Sequence, residues 1–169
     1  MPRPRRPRGS QQAAEALVRT APVVSRWIER LLAAHDPPLT VAQYLALQAA
    51  SEGEVVSAEL ARRTAVSPAA ISQLVAALED HGLLARAPHT EDRRRQPLVL
   101  TQRGQTIFWS AETALRARLA SLLEDLKPPE AEALARLLDR LQASLSGTPP
   151  PPRPHRTQAQ RRPQPRSRP

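Results

Sequence analysis

The stretch from Ser67 to Thr101 does most to limit how this chain can fold. Ser67 followed by Pro68 pairs an N-cap with a proline at the first helical position, the order that a helix start favours. Beyond it, Ile71, Leu74, Val75 and Leu78 fall at i, i+3, i+4 and i+7, one apolar stripe, and Gly82 stands where that helix must stop. The opposite face carries Ala69, Ser72, Gln73 and Ala76. It is small and hydrogen-bonding rather than charged, as suits a helix that enters a groove. Two extended stretches follow at once, Leu83 to Ala87 and Leu98 to Thr101, separated by the polar run from His89 to Gln96. A capped amphipathic helix running straight into a hairpin with a basic tip leaves few architectures open.

The flanking segments narrow the choice. Thr40-Val41-Ala42-Gln43 fits a capping box, and the helix it opens, through Tyr44, Leu45 and Leu47, meets Gly53 where a left-handed C-cap belongs. Ser57 caps a short helix through Leu60 and Ala61 that ends near Ala65. Gln11 to Ala34 reads as helix, but Pro22 inside it predicts two segments, with Thr20 capping the second and Val23, Val24, Trp27, Ile28, Leu31 and Leu32 on one face. After the hairpin, Thr101 caps a long helix holding Ile107, Phe108, Leu115, Leu119, Leu122 and Leu126. Past Lys127-Pro128-Pro129, a last helix carries Leu134, Leu137, Leu138, Leu141 and Leu145, a narrow stripe of the kind found at a two-helix seam. The order predicts a mainly α fold with a small β-hairpin wing: a winged helix-turn-helix flanked by N- and C-terminal dimerisation helices. On pattern alone, an all-helical domain with a polar hairpin is the plain alternative.

Charge divides the 169 residues into three parts. Residues 1–9 hold four of the 25 Lys and Arg and residues 148–169 hold six, with no acid in either, so the remaining 15 face all 16 acidic residues and residues 10–147 carry a net of −1. Those ends also hold 11 of the 19 prolines and almost nothing to bury. They read as disordered Pro/Arg-rich arms around one domain, whose DNA-binding lobe spans about 39–101 and whose dimerisation helices span about 11–34 and 102–146. Flexible cations find phosphates, although a GC-rich genome produces the same composition.

Several chemistries are absent. Without cysteine there are no disulfides and no thiolate metal sites. The four histidines, His35, His81, His89 and His155, lack metal-ligand spacing, and His81 reads as a histidine at the negative end of a helix dipole. Five glycines in all leave no phosphate-cradling loop. No cofactor, metal or catalytic triad is implied, so the chain is not read as an enzyme. No apolar run of membrane-spanning length or signal-peptide pattern occurs, and the expected address is cytoplasmic and nucleoid-associated, with no membrane partner.

Several strings resemble the MarR family of bacterial regulators: Leu39-Thr40 to Gln43-Tyr44 with Leu47, Glu59-Leu60-Ala61, Val66-Ser67 with Ile71-Ser72, Leu78 to Gly82-Leu83, Asp92-Arg93-Arg94, and Leu100-Thr101 to Gly104. The match spans roughly residues 11 to 146. The resemblance implies a recognition helix from Ser67 to His81, in which Ser67, Pro68, Ala69, Ser72, Gln73 and Ala76 meet double-stranded DNA. It also implies a wing with Asp92, Arg93, Arg94 and Arg95, in which Arg94 enters the minor groove and Asp92 orients it. Arg62, Arg63 and Arg86 are the nearby cations for phosphate. The stripe Leu134, Leu137, Leu138, Leu141 and Leu145 would form a homodimer interface. A small aromatic or anionic effector is implied between the lobe and the dimer helices, where the chain's only aromatics, Trp27, Tyr44, Phe108 and Trp109, all fall.

Three residues depart from the family pattern. Gln73 stands where arginine is common and suits adenine rather than guanine. Ala65 replaces a frequent glycine in the turn, and Pro97 in the second wing strand must take an edge or bulge position. The expected function is a homodimeric repressor, less often an activator, that binds an inverted-repeat operator and is released by its effector. An architectural DNA-binding protein relying on its arginine-rich ends competes with it, as does a protein-interaction module with a proline-rich tail.

Overall fold

The structure, a computed structural model, describes residues 8–64, 66–87 and 96–146. The elements are α1 (Arg8–Ala33), α2 (Val41–Ser51), α3 (Ser57–Thr64), α4 (Pro68–Asp80), β1 (Leu84–Arg86), β2 (Leu98–Leu100), α5 (Gln102–Leu122) and α6 (Pro128–Ser146). They fall into two compact units, one ending at Leu122 and the other beginning at Leu123. The winged helix-turn-helix architecture is the one the sequence predicts.

The first unit is built around a leucine from each of five elements. Leu32, Leu47, Leu60, Leu78 and Leu98 come from α1, α2, α3, α4 and β2, and all are fully enclosed. Each such side chain contributes about 1.5–3 kcal/mol relative to remaining in water. Ile71, Val75, Phe108, Ala111 and Leu115 extend this core, so α4 and α5 share it. The one buried polar side chain among the described residues, Thr64, donates its hydroxyl proton to the Leu60 carbonyl at 2.7 Å.

The starts of α2, α4 and α5 follow the sequence, whereas α1 begins three residues before the expected Gln11 and α6 begins at Pro128. Thr40 and Gln43 form the full capping box, at 3.1 and 2.8 Å. The α3 start differs: the Val56 carbonyl accepts the first bonds, from Glu59 and Leu60, and Ser57 lies inside the helix. Gly53 follows α2 at φ 143.

Helix α1 corrects the expectation of a break. It runs unbroken from Arg8 to Ala33 through Pro22. Proline removes one backbone bond, but α1 is exposed from Gly9 to Arg26, so water can solvate the carbonyl left without a donor. The alanines and leucine before Pro22 are good helix formers. Of the predicted apolar face, Leu32 is buried and Trp27, Ile28 and Leu31 half-buried, whereas Val23 and Val24 are exposed.

The wing is a two-stranded antiparallel sheet pairing Leu84 with Leu100, Ala85 with Val99 and Arg86 with Leu98. Val55 bridges to the other edge of Leu98 through bonds of 2.8 and 3.1 Å, which places β2 in the middle. Pro97 sits just before β2, where its carbonyl accepts from Ala87 at 2.9 Å but its nitrogen has no proton to return. The ladder therefore stops there: instead of the expected edge or bulge position, Pro97 lies just ahead of a central strand, where its missing donor interrupts no bond of β2. Ala65 and the wing tip at 88–95 lie outside the described residues.

One junction joins α4, the wing and α5. Helix α4 ends in a Schellman turn, with Gly82 N–H donating to the Glu79 carbonyl at 2.9 Å and Leu83 N–H to the Leu78 carbonyl at 2.8 Å. Gly82 takes φ 66 there. The Thr101 hydroxyl donates to the Gly82 carbonyl at 2.6 Å and accepts from Gly104 N–H at 2.9 Å, capping α5. A Cβ at position 104 would overlap the backbone carbonyl of Leu83, whereas one at Gly9 would meet nothing within 4 Å. Gly104→Ala should therefore cost about 1–3 kcal/mol in urea unfolding, while Gly9→Ala changes stability little. Equal stability of the two variants would contradict this packing.

Candidate nucleic-acid interface

The outward-facing surface of α4 follows from its buried stripe. Because Ile71, Val75 and Leu78 are pinned in the core, Ala69, Ser72, Gln73 and Ala76 are turned outward, and all four are exposed. Ser67 caps the helix, its Oγ accepting from Ala70 N–H at 3.4 Å, and Pro68 occupies the first turn. That turn contains no acid; Glu79 and Asp80 lie at the opposite end. The N-terminal half thus offers amides and small polar groups to an approaching duplex, on the positive end of the helix dipole.

The three cations expected to meet phosphate, Arg62, Arg63 and Arg86, are engaged within the protein. Arg62 and Arg63 on α3 both meet Glu59, with the Arg63 Nε at 2.7 Å from Oε1, and Arg63 also reaches Glu52. Arg86 on β1 forks onto Glu79 of α4, with Nε to Oε1 at 2.9 Å and Nη2 to Oε2 at 3.2 Å. The i,i+4 spacing of Glu59 and Arg63 could have revealed the first pairing. The second joins residues from helix and strand, for which local spacing gives no signal. Asp92, Arg93, Arg94 and Arg95 lie outside the described residues.

The four aromatics divide rather than forming one cage. Phe108 is buried in the core and contacts Tyr44 and Trp109, with ring centroids 5.9 and 5.0 Å away. Trp109 is 55% exposed and borders a groove of about 470 Å³ with Gly53, Glu54, Leu100 and Gln105. A second groove, of about 400 Å³, lies between the end of α1 and α5 and is lined by Leu31, Leu32, His35, Ser110, Ala114 and Arg118. His35 bridges it, with Nδ1 at 3.0 Å from the Pro37 carbonyl and Nε2 at 3.0 Å from Ser110 Oγ. Neither His35 nor Arg118 was marked by any local motif.

Tyr44 carries a further link between α2 and α5: its hydroxyl donates to Glu112, whose other oxygen accepts from Arg116 at 2.6 Å. Burial raises the Tyr44 hydroxyl well above its ordinary pKa, reinforced by the bond to Glu112 and its charge. Burial also pushes Glu112 upward, but the Tyr44 and Arg116 bonds together outweigh it and hold the carboxyl below its ordinary value.

Helix α6, taken by itself, exposes Leu137, Leu138 and Leu145, with Leu134 and Leu141 half-buried. Among the described residues no group of three or more His, Cys, Asp or Glu is placed to hold a metal ion. No helix among them is long and apolar enough to cross a membrane.

Comparison with known proteins assigns this arrangement. The profile of the MarR family matches residues 37–95. The HTH-type transcriptional repressor Rv2887 of Mycobacterium tuberculosis is 35% identical over 104 residues, which cover 61% of this chain and 75% of the relative. The chain belongs to the MarR family. Its fold matches the crystal structure of Rv2887 in complex with salicylic acid at a TM-score of 0.63 and 30% identity, over 82% of this chain and 98% of that one. Rv2887 in complex with DNA also matches at 0.63 and 30%, over 80% and 98%. A MarR family protein from Bacillus stearothermophilus shares the fold at a TM-score of 0.70 and 24% identity, over 82% of this chain and 96% of that one. MarR proteins are DNA-binding transcriptional regulators, which makes the outward face of α4 the first surface to test.

The Tyr44–Glu112 link gives this MarR protein a pH-dependent stability term. Because the folded carboxyl titrates below its unfolded value, the stabilisation is present above the unfolded pKa and is lost as pH falls through the folded one. Glu112→Gln should lower stability by about 1 kcal/mol at neutral pH, a gap that closes on acidification through the carboxylate range. A gap constant with pH in thermal unfolding would contradict it.

Proposed function

We propose that this chain is a transcriptional repressor that binds an inverted-repeat operator as a homodimer and leaves it when a small aromatic acid binds. The observation that carries the reading is the exposed, uncharged face of α4, held by Ile71, Val75 and Leu78 buried on the opposite face and capped at an acid-free N-terminus. Such a face reads base edges: Gln73 pairs in bidentate fashion with adenine, and the methyl groups of Ala69 and Ala76 fit thymine. Arg94, which with Asp92 lies outside the described residues, is the cation that the family resemblance assigns to the flanking minor groove. The name of the repressor Rv2887 and its complexes with DNA and with salicylic acid support the same reading.

The homodimer rests on unpartnered apolar surface. Leu137, Leu138 and Leu145 are exposed on α6 taken by itself, and a second copy would cover them; Leu17, Val18 and Val23 are exposed on α1 within its own unit. The groove between the end of α1 and α5 suits the effector. It has apolar walls from Leu31, Leu32 and Ala114, and Arg118 and His35 are present for a carboxylate. Of the four aromatics, Trp109 borders the other groove and Phe108 is spent on the core.

A second reading is favoured by one observation. With ten arginines in the two ends and a net of −1 between them, an architectural protein would hold DNA mainly through residues 1–9 and 148–169.

Binding measurements on a duplex selected from a randomised pool test the proposal. Arg94→Ala should weaken binding to most sequences, whereas Gln73→Ala should relax preference at one base position by roughly 1–3 kcal/mol. Two chains should sediment with each duplex, and salicylate should lower the affinity. Wild-type behaviour of both variants would overturn the docking, and equal binding of selected and random duplex would favour the architectural reading.

A further inference from the structure

Among the described residues, the three arginines expected to meet phosphate are paired with acids of the same lobe. Arg62, Arg63 and Arg86 are paired with Glu59, Glu52 and Glu79, and these six charges sum to zero. Glu59 serves two arginines at once, one through each carboxylate oxygen. Glu79 meets Arg86 through both oxygens, the fork geometry that fixes a guanidinium plane as well as its position. The arginine side chains are 73%, 42% and 36% exposed, those of Glu59 and Glu79 only 25% and 28%. Arg62 and Arg63 thus stand farther out than Glu59, and Arg86 slightly farther than Glu79, whereas Glu52, 56% exposed, stands farther out than Arg63.

We propose that Glu59 and Glu79 are specificity-setting residues, which weaken binding to any duplex while aiming Arg62, Arg63 and Arg86 at the phosphates of a correctly docked one. The inference rests on the DNA-binding reading above. In a helix-turn-helix the first helix crosses the phosphate backbone while the second lies in the major groove. Arg62 and Arg63 close the first of these helices, and Arg86 leads out of the second towards the wing.

The two effects act on different complexes. Binding to random sequence is almost entirely phosphate attraction, so a carboxylate beside each arginine weakens it in full. On a matched site the neutral side chains of Ser72, Gln73, Ala69 and Ala76 supply contacts that the carboxylates do not oppose. There the fixed guanidinium planes are an advantage, because an arginine already aimed loses less freedom on meeting phosphate. Both acids thus raise the ratio of matched to random binding, although neither touches a base.

Glutamine substitutions separate charge from shape, since Glu59→Gln and Glu79→Gln keep an acceptor oxygen and remove one negative charge each. Glu132→Gln is the control: it makes the same change in net charge on α6, where Glu132 faces only Arg136 at 3.8 Å. Each variant is prepared singly in the full chain and checked by thermal unfolding, so that one failing to fold leaves the other as the test. Kd is then measured on random duplex and on the selected operator across a range of salt. Relative to Glu132→Gln, each lobe variant should bind random duplex roughly threefold to tenfold more tightly, with a log K versus log salt slope steeper by about 0.9 for each carboxylate removed. Operator affinity should rise less, so the operator-to-random ratio falls. A random-duplex Kd and slope equal to those of the control would overturn the inference, as would an unchanged ratio. A wild-type chain that binds no duplex would instead overturn the reading on which it rests.

Discussion

The chain that leaves α4 has to satisfy the last carbonyls of a helix, reverse direction and enter a strand, all within three residues. Gly82 makes the turn at a positive φ, Leu83 folds its amide back onto Leu78, and the Thr101 hydroxyl closes the site by binding the Gly82 carbonyl at 2.6 Å. Because the same hydroxyl caps α5 through Gly104, the end of α4, the base of the wing and the start of the long helix share one hydrogen-bonded point. The lack of a side chain at Gly104 lets α5 approach the Leu83 carbonyl closely enough for this. The exposed face of α4 is aimed from here. Its apolar stripe fixes rotation about the helix axis, and the junction fixes where the helix ends.

Electrostatics around that face act by subtraction. An isolated exposed ion pair stabilises a fold by little, about 0–1 kcal/mol, so the pairs of Glu52, Glu59 and Glu79 with the nearby arginines matter less for stability than for the charge a duplex meets. Among the described residues the lobe presents arginines whose charge is locally balanced, beside an exposed α4 face that carries none. On the proposed reading, base recognition decides more of the outcome than it would on a strongly basic surface. The ten arginines of residues 1–9 and 148–169 stand apart from this balance in the sequence.

Local patterns made most of the fold legible before any coordinates. The capping box at Thr40, the Ser67-Pro68 start, the stop at Gly82 and the Thr101 cap all rely on neighbours within four residues, and each is present. So is the division of α4 into a buried stripe and an exposed polar face. Pro22 misled because proline's cost depends on whether water can reach the orphaned carbonyl, which a sequence pattern does not record. Contacts between distant residues were equally invisible. Glu79 with Arg86, Tyr44 with Glu112 and His35 with Ser110 span 7, 68 and 75 positions, and none has a periodic signature. The aromatics show the same limit, since helical spacing placed them in the right helices but could not assign Phe108 to the core and Trp109 to a groove.

The central claim, that the outward face of α4 reads base sequence from a twofold-symmetric pair of chains, is most directly tested by selecting bound sequences from a fully randomised duplex pool with the wild-type protein. Two recognition helices related by a twofold axis should enrich an inverted repeat whose half-site centres lie about 10–10.5 base pairs, one helical turn, apart. A pool that stays unenriched after repeated rounds, or that yields a single asymmetric half-site, would contradict it.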